Sequence, residues 1–541
     1  MLRKNDEITV RIERFGGEAG IAHLEGMTLF VQGALPGETV LARAQKVEKT
    51  HAFLKTLSVA DPSPDRRTPP CPYYEKCGGC VCQHMAYERT LEMKRERIRD
   101  ALLRIGGIGI DVPPVLGMED PWHYRNKTAL PVGGEKGAPL MGFYAPRSHR
   151  IVPVDGCLIA REESNRVCRA VRLWMEKFGV PPYDERTRTG LIRHVMSRVS
   201  RSGQVMAVIV AAGRELPHER ELAALLRSAV PETVSLYLNI NTRGDNVILG
   251  RESRLLFGEE RLRDTLCGTE FLLSPQSFFQ VNPLQTEKLY GAALEFAGLR
   301  GDETVCDLYC GAGTISLLLA RHARQVTGIE VVPQAVRDAE ENARRNGVSN
   351  VRFLAGETES LLPGLVAEGL RPDAVVLDPP RKGCEESVLR ALIDAGPGRI
   401  VYVSCDPATL ARDAKILCAG GYRAEKCRGV DLFCWTGHVE TVCLLSKIKS
   451  APHIDIDLDM TELDVTAAET KATYEEIKAY VLEHTGLKVS CLYIAQVKAK
   501  HGIIERDCYN KSKTEGNRVP KCPPEKEKAI EEALRHFQMI S

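Results

Sequence analysis

The stretch Ser404-Cys405-Asp406-Pro407-Ala408-Thr409 places a thiol where an apolar run, Arg399 to Val403, gives way to a helix start. That is the edge at which open α/β sheets hold their ligands. A cysteine there is either a reactive thiol or a small buried hydrophobe. A second group is Cys310-Gly311-Ala312-Gly313-Thr314, followed at the end of the next strand by Glu330. Glycines let the backbone approach a ligand, and a carboxylate about twenty residues on can take two ribose hydroxyls. A full G-x-G-x-x-G is missing, which favours a nucleoside ligand without pyrophosphate, S-adenosylmethionine, over a dinucleotide. Asp378-Pro379-Pro380-Arg381 ends a later strand, and its prolines stiffen the backbone beside that crevice. Arg381 stands where amino-group methyltransferases often carry an aromatic residue, which disfavours an exocyclic amine as methyl acceptor. Cys71, Cys77 and Cys80 follow a C-x5-C-x2-C spacing with Gly78-Gly79 between the last two. Three thiols so spaced are a ligation signal, for zinc or an iron–sulfur cluster. The fourth ligand must come from elsewhere, with Cys157 the best candidate and Cys82 its near rival.

The elements needed to position these groups can be read from periodicity. From Thr304 onward, seven strand-like runs, Tyr422 to Val430 the sixth, alternate with helical patterns up to Leu445, which predicts a Rossmann-like, doubly wound α/β sheet over residues 274–446. Residues 1–60 carry short alternating runs separated by Gly and Pro, with Phe15 to Gly20 read as a turn, five strands that suggest a small OB-like barrel able to bind single-stranded nucleic acid. Asp61 to Pro70 is a proline-rich linker, and Gln83 to Ile105 reads as an amphipathic helix ending at Gly106-Gly107. Residues 71–273 read as a central α+β domain, with basic clusters at His123, Arg125 and Lys127, at Arg147, His149 and Arg150, and at Arg186, Arg188 and Arg193. Each cluster is a solvated rim or an RNA contact. Residues 446 to 470 read as a linker, and residues 471–541 form a small appendage with helices expected at 474–485 and 524–537. Its basic middle, Lys498 to Lys521, includes Tyr509 and offers RNA contacts or a docking surface; Cys491, Cys508 and Cys522 are too weak a motif to assign to metal.

Composition narrows the class. The chain has 541 residues, 43% hydrophobic and 27% charged, with a net charge of +1. These are the proportions of a soluble globular protein, and no global field points to nucleic acid. No apolar run approaches the ~20 residues that span a bilayer, and the start is not a signal peptide. Eighteen cysteines without an export signal point to ligation, catalysis or burial rather than disulfides, and to the cytoplasm.

Taken together, Cys71-x5-Cys77-x2-Cys80, Phe278-Phe279-Gln280-Val281-Asn282, Asp378-Pro-Pro-Arg381, the Cys405 stretch and His438-Val439-Glu440 resemble the RNA 5-methyluridine methyltransferases. The resemblance runs over residues 5 to 446 and is to the ribosomal RNA (RumA-type) branch, with an N-terminal TRAM barrel and a 4Fe-4S cluster. It implies methylation of carbon 5 of a uridine in 23S rRNA. Apart from the resemblance, no membrane association is expected, and a monomer is expected although one chain does not fix the oligomeric state. The resemblance makes Cys405 the nucleophile that adds to carbon 6, and Glu440 the base that removes the carbon 5 proton. Gln280, Tyr309, Thr314, Glu330, Glu357 and Asp378 become the cofactor contacts, with Thr314 where the family often has Asn. Phe278 and Arg381 fall to the substrate base, and Cys71, Cys77, Cys80 and Cys157 to the cluster. The rivals are transfer RNA methylation at the same carbon, or a non-catalytic RNA-binding or ribosome-assembly protein; the second has no need of both Cys405 and Glu440.

Overall fold

The computed structural model describes residues 2–448, 474–501, 522–537 and 539–540. The chain divides into two compact units, Met1–Lys449 and Ser450–Ser541.

The first unit begins with a six-stranded sheet built from Glu7–Arg11, Arg14–Phe15, Gly20–Leu24, Met27–Gln32, Thr39–Val47 and His51–Asp61. The glycine-rich segment expected as one long turn contributes two of these strands, Arg14–Phe15 pairing with Gly20–Leu24. Six strands therefore stand where five were expected. The proline-rich linker and the cysteine loop lead into the helix Tyr87–Ala101, which passes through a π-turn and ends at Gly107 in the left-handed conformation. The helix is shorter than the expected 83–105 because residues 83–86 run as a turn ahead of it.

A second, seven-stranded sheet follows between Lys127 and Gly258. Its inner strands Ile192–Val199 and Val205–Ala211 are buried at every position, and they pack under the helix Glu162–Phe178 through Val167, Val171 and Trp174. A β-hairpin, Leu262–Leu266 with Thr269–Leu273, connects to the third sheet.

That third sheet positions the site. Its strands run in the spatial order Val351–Ala355, Gln325–Glu330, Thr304–Leu308, Ala374–Leu377, Arg399–Ser404, Glu440–Lys447, Tyr422–Val430. The first five are parallel, and Glu440–Lys447 inserts antiparallel to both neighbours. The strand order reverses beside Thr304–Leu308, so a crevice opens past the carboxyl ends of the parallel strands. Helices enter there under local control. Asn282 caps Pro283–Ala297 by accepting from Gln285 N, and Asp406 caps Pro407–Ala419 by accepting from Ala408 N at 2.9 Å. Each has proline at its first position, whose fixed φ suits a helix start.

In the second unit, Tyr474–Thr485, Cys491–Lys500 and Pro524–His536 are helical and share a core of Ile477, Val481, Ile494, Val497, Ile530 and Leu534. The middle helix was not expected: its apolar residues are nearly consecutive, so they lack the helical period. Cys508, Tyr509 and most of the basic stretch lie outside the described residues.

Candidate functional site

The site is assembled by strand register. Ser404 pairs with Thr441 across the antiparallel ladder, which carries Cys405 and Glu440 to facing positions at its end. Leu377 pairs with Tyr402, bringing Asp378 alongside. The Cys405 turn is fixed by its own side chains: Ser404 Oγ donates to Asp406 O at 2.9 Å, and Thr409 Oγ1 donates to the same carbonyl at 3.0 Å. Cys405 remains partly accessible, whereas Glu440 is 5% exposed.

Cys405, Glu440, Asp378 and Arg381 lie within electrostatic reach of one another. Burial pushes the Glu440 carboxyl up to about 8, reinforced by Asp378 and opposed by Arg381. Burial alone raises Asp378 to about 7. The Cys405 thiol is raised by burial and by Glu440, with the Arg381 guanidinium pulling the other way. Arg381 is exposed and makes no hydrogen bond or ion pair among the described residues, so it is free to meet a ligand. Phe278, 72% exposed, is the most exposed of the large apolar side chains described. The segment carrying it is anchored from the second sheet, because Asn126 donates from its amide to Gln280 O at 3.1 Å and from its backbone to Val281 O at 2.9 Å.

On the cofactor side, Glu330 accepts from Gly311 N at 3.1 Å and from Val332 N at 2.8 Å. The Gly311 bond ties the carboxylate to the glycine loop opposite. Tyr309 has φ +63°, a left-handed conformation unusual for an aromatic residue, and its hydroxyl donates to Glu359 at 3.1 Å. Thr314 opens its helix beside the Tyr290 hydroxyl, 3.2 Å away. Glu357 is exposed at the start of the helix Thr358–Ala367, and Glu359 rather than Glu357 meets Tyr309.

One residue beneath this crevice escaped the sequence reading. Asp307 is fully buried, receives Ser316 Oγ on one oxygen and leaves the other, Oδ1, without a partner. Burial lifts it to about 7, Ser316 opposes, and Asp378 and Glu330 add to the rise. The signal was available: one acid inside the otherwise apolar strand Thr304–Leu308. Glu330 and Asp378 border the crevice and Asp307 lies buried below them with one oxygen unpaired, a set of carboxyls that suits a cationic ligand. The aminoacyl ammonium and sulfonium of S-adenosylmethionine fit that requirement.

The cysteine loop forms a separate neighbourhood. Cys71, Cys77, Cys80 and Cys157 act electrostatically on one another, and burial raises Cys80 to about 12. One backbone N–H is directed at these sulfurs, Gly79 N donating to Cys77 Sγ at 3.4 Å, while Ala160 N donates to the carbonyl of Cys157 at 3.2 Å. Cys82 belongs elsewhere, fully buried and facing Lys94 and Asp431. No three His, Cys, Asp or Glu side chains among the described residues meet as a metal-holding group. No described helix is long and apolar enough to cross a membrane.

The strand order, the reversed last strand and the acidic crevice beside a glycine loop define an S-adenosylmethionine-dependent methyltransferase domain. A family model described as tRNA (uracil-5-)-methyltransferase matches residues 86–448. An uncharacterized RNA methyltransferase of Clostridium tetani is 47% identical over 447 residues, 82% of this chain and 97% of its own. Another from Halalkalibacterium halodurans is 45% identical, with 82% and 98% covered. The crystal structure of Pyrococcus abyssi tRNA (uracil-54, C5)-methyltransferase with S-adenosyl-L-homocysteine is similar at a TM-score of 0.66 and 26% identity, covering 81% of this chain and all of that one. The chain belongs to the tRNA (uracil-5-)-methyltransferase family and is an S-adenosylmethionine-dependent RNA (uracil-5-)-methyltransferase.

Proposed function

We propose that this enzyme makes 5-methyluridine in 23S rRNA, in the cytoplasm, through a covalent bond between Cys405 and carbon 6 of the target uracil. The observation that carries the reading is the convergence of a partly accessible thiol with Glu440, Asp378 and Arg381 at one sheet edge. Carbon 5 of uracil is a poor nucleophile. The Cys405 thiolate adds at carbon 6, forming a C–S bond and driving the ring π-electrons onto the carbon 5–carbonyl system. Arg381, the one nearby cation among these groups, stabilises the thiolate and the charge that develops on the ring. When bound, S-adenosylmethionine supplies the electrophilic methyl group that carbon 5 takes up. Glu440, as the carboxylate, then takes the proton from carbon 5; the ring double bond re-forms and the Cys405 thiolate leaves. A carboxyl held near 8 is a stronger base than an ordinary one, which suits this step. Gln280, Tyr309, Thr314, Glu330, Glu357 and Asp378 line the cofactor side, and Asp307, buried beneath it, adds a carboxyl whose field favours a positively charged group above. Phe278 offers an exposed ring on which a flipped-out uracil stacks.

Cys71, Cys77, Cys80 and Cys157 would hold a 4Fe-4S cluster, a reading supported by their shared neighbourhood and the Gly79 N–H directed at the Cys77 sulfur. That loop and a TRAM-type N-terminal domain are the features of the ribosomal RNA branch. Transfer RNA stands as the second reading, favoured by the likeness to the Pyrococcus enzyme.

The deciding experiment incubates the full chain with RNA containing 5-fluorouridine, whose fluorine cannot leave as a proton. A covalent RNA–protein complex is expected from the native sequence and none from Cys405→Ala. An equal complex from Cys405→Ala would refute the nucleophile. Mapping 5-methyluridine in RNA of cells with and without the gene separates ribosomal from transfer RNA.

A further inference from the structure

Glu440 enters its strand from the loop 431–439, and Cys405 sits in the turn after Arg399–Ser404. One side chain from a distant part of the sequence touches both segments. Arg97, on the helix Tyr87–Ala101, donates from Nη1 to Gly437 O at 2.6 Å, and its Nη2 lies 3.9 Å from Oδ1 of Asp406. Gly437 is three residues before Glu440, and Asp406 directly follows Cys405.

We propose that Arg97 is a positioning residue that holds the Glu440 loop at a fixed distance from the Cys405 turn. The inference rests on the nucleophile and base roles proposed above. Arg97 is about a third exposed, so its ion pair with Asp406 adds little to stability. What matters is its shape. A guanidinium presents rigid, divergent donors and can span two acceptors, which an ammonium on a flexible stem cannot do in one geometry.

The same helix anchors the far end of the loop. Lys94 and Asp431 are an ion pair with both side chains fully buried, and Lys94 also donates to Phe433 O at 3.1 Å. Tyr87 donates to the other oxygen of Asp431 at 2.7 Å. Residues 87, 94 and 97 fall on one face at helical spacing, so a single rigid element fixes the loop at 431, 433 and 437. A third element closes the junction. A Cβ at Gly437 would stand 1.9 Å from Gly17 O, so the N-terminal domain leaves room there only for glycine.

Carbon 5 deprotonation is the step that needs Glu440, whereas adduct formation needs Cys405. Loosening the loop therefore slows release of the methylated RNA more than its capture. The test is single-turnover methylation by the full chain, following formation and decay of the covalent RNA–protein complex on denaturing gels, with cofactor affinity measured alongside. For Arg97→Gln, decay slows about tenfold to a hundredfold, formation changes by less than about threefold, within the context spread expected of any single interaction, and cofactor affinity is unchanged. Arg97→Lys falls between, and Gly437→Ala reproduces the pattern without touching a charge. Glu440→Gln is the reference for trapped complex. If it traps complex while Arg97→Gln and Gly437→Ala do not, the positioning role is refuted. The role also fails if Arg97→Gln slows both steps equally, or only raises a salt-dependent KM for RNA, the mark of a phosphate contact. If Glu440→Gln traps nothing, the base assignment itself falls, and the Arg97 proposal with it.

Discussion

Glu440→Gln tests the electrostatic reading of the site without requiring turnover. Burial and the charge of Asp378 hold the Glu440 carboxyl at about 8, against its ordinary 4.5. Between those values the folded chain keeps a proton that the unfolded chain has released. Stability therefore falls as pH rises, by about 1.4 kcal/mol per pH unit for one proton. The contribution is fully present below about 4.5 and is lost as pH passes through about 8. From pH 5 to pH 8 the single group removes at most about 4 kcal/mol from the cofactor-free protein. Glutamine carries no ionisable proton, so the variant lacks this slope. Asp307 and Asp378, both near 7, behave with the same sign in both proteins. The two proteins should thus be nearly equal near pH 5, and the variant should be the more stable by about 2–4 kcal/mol at pH 8. Urea unfolding of the cofactor-free proteins at a series of pH values measures the difference. Parallel stability curves from pH 5 to 8 would refute a protonated, buried Glu440.

Asp307→Asn keeps the shape of the buried side chain and removes its charge. Losing that charge beneath the crevice, an effect of the order of a charge-assisted hydrogen bond at about 1.5–3 kcal/mol, should weaken S-adenosylmethionine binding about tenfold to a hundredfold by calorimetry; an unchanged Kd would place the cofactor's cationic end elsewhere. Cys157→Ser should lower the iron and acid-labile sulfide content and the visible absorption of the purified protein, whereas Cys82→Ser, in the separate pocket with Lys94, should leave all three unchanged; loss with both variants would contradict the division of these thiols.

The α/β sheet was legible because its strands are short apolar runs with sharp ends, and Tyr422–Val430 was read with both boundaries correct. The Phe15–Gly20 segment was not, because closely spaced glycines read as a turn while the backbone still pairs on either side of them. Within the site, Cys405, Asp378 and Glu330 announced themselves by lying at strand ends, Asp378 directly before Pro379 and Cys405 two residues before Pro407. Asp307 was hidden by its neighbours, since one acid inside a strand looks like a tolerated exception until its unpaired oxygen is located. Arg97 was invisible for a different reason. An arginine on an amphipathic helix reads as solvated surface, and only the third dimension brings it to Gly437 and Asp406, more than 300 residues away in sequence.

The charge balance of the crevice sets what the proposed chemistry must change. Asp378 and Glu440 face a thiol that is itself raised, and Arg381 is the cation acting on both Cys405 and Glu440. At neutral pH that pocket holds protons on its acids, and a protonated Glu440 cannot accept another from carbon 5. A positively charged ligand beside Asp378 and Asp307 favours their ionised forms. The RNA phosphates act in the opposite sense. Under the proposed roles, a cationic cofactor beside Asp378 and above Asp307 would offset their charge, and Arg381, which has no carboxylate partner among the described residues, would be left to serve the ring.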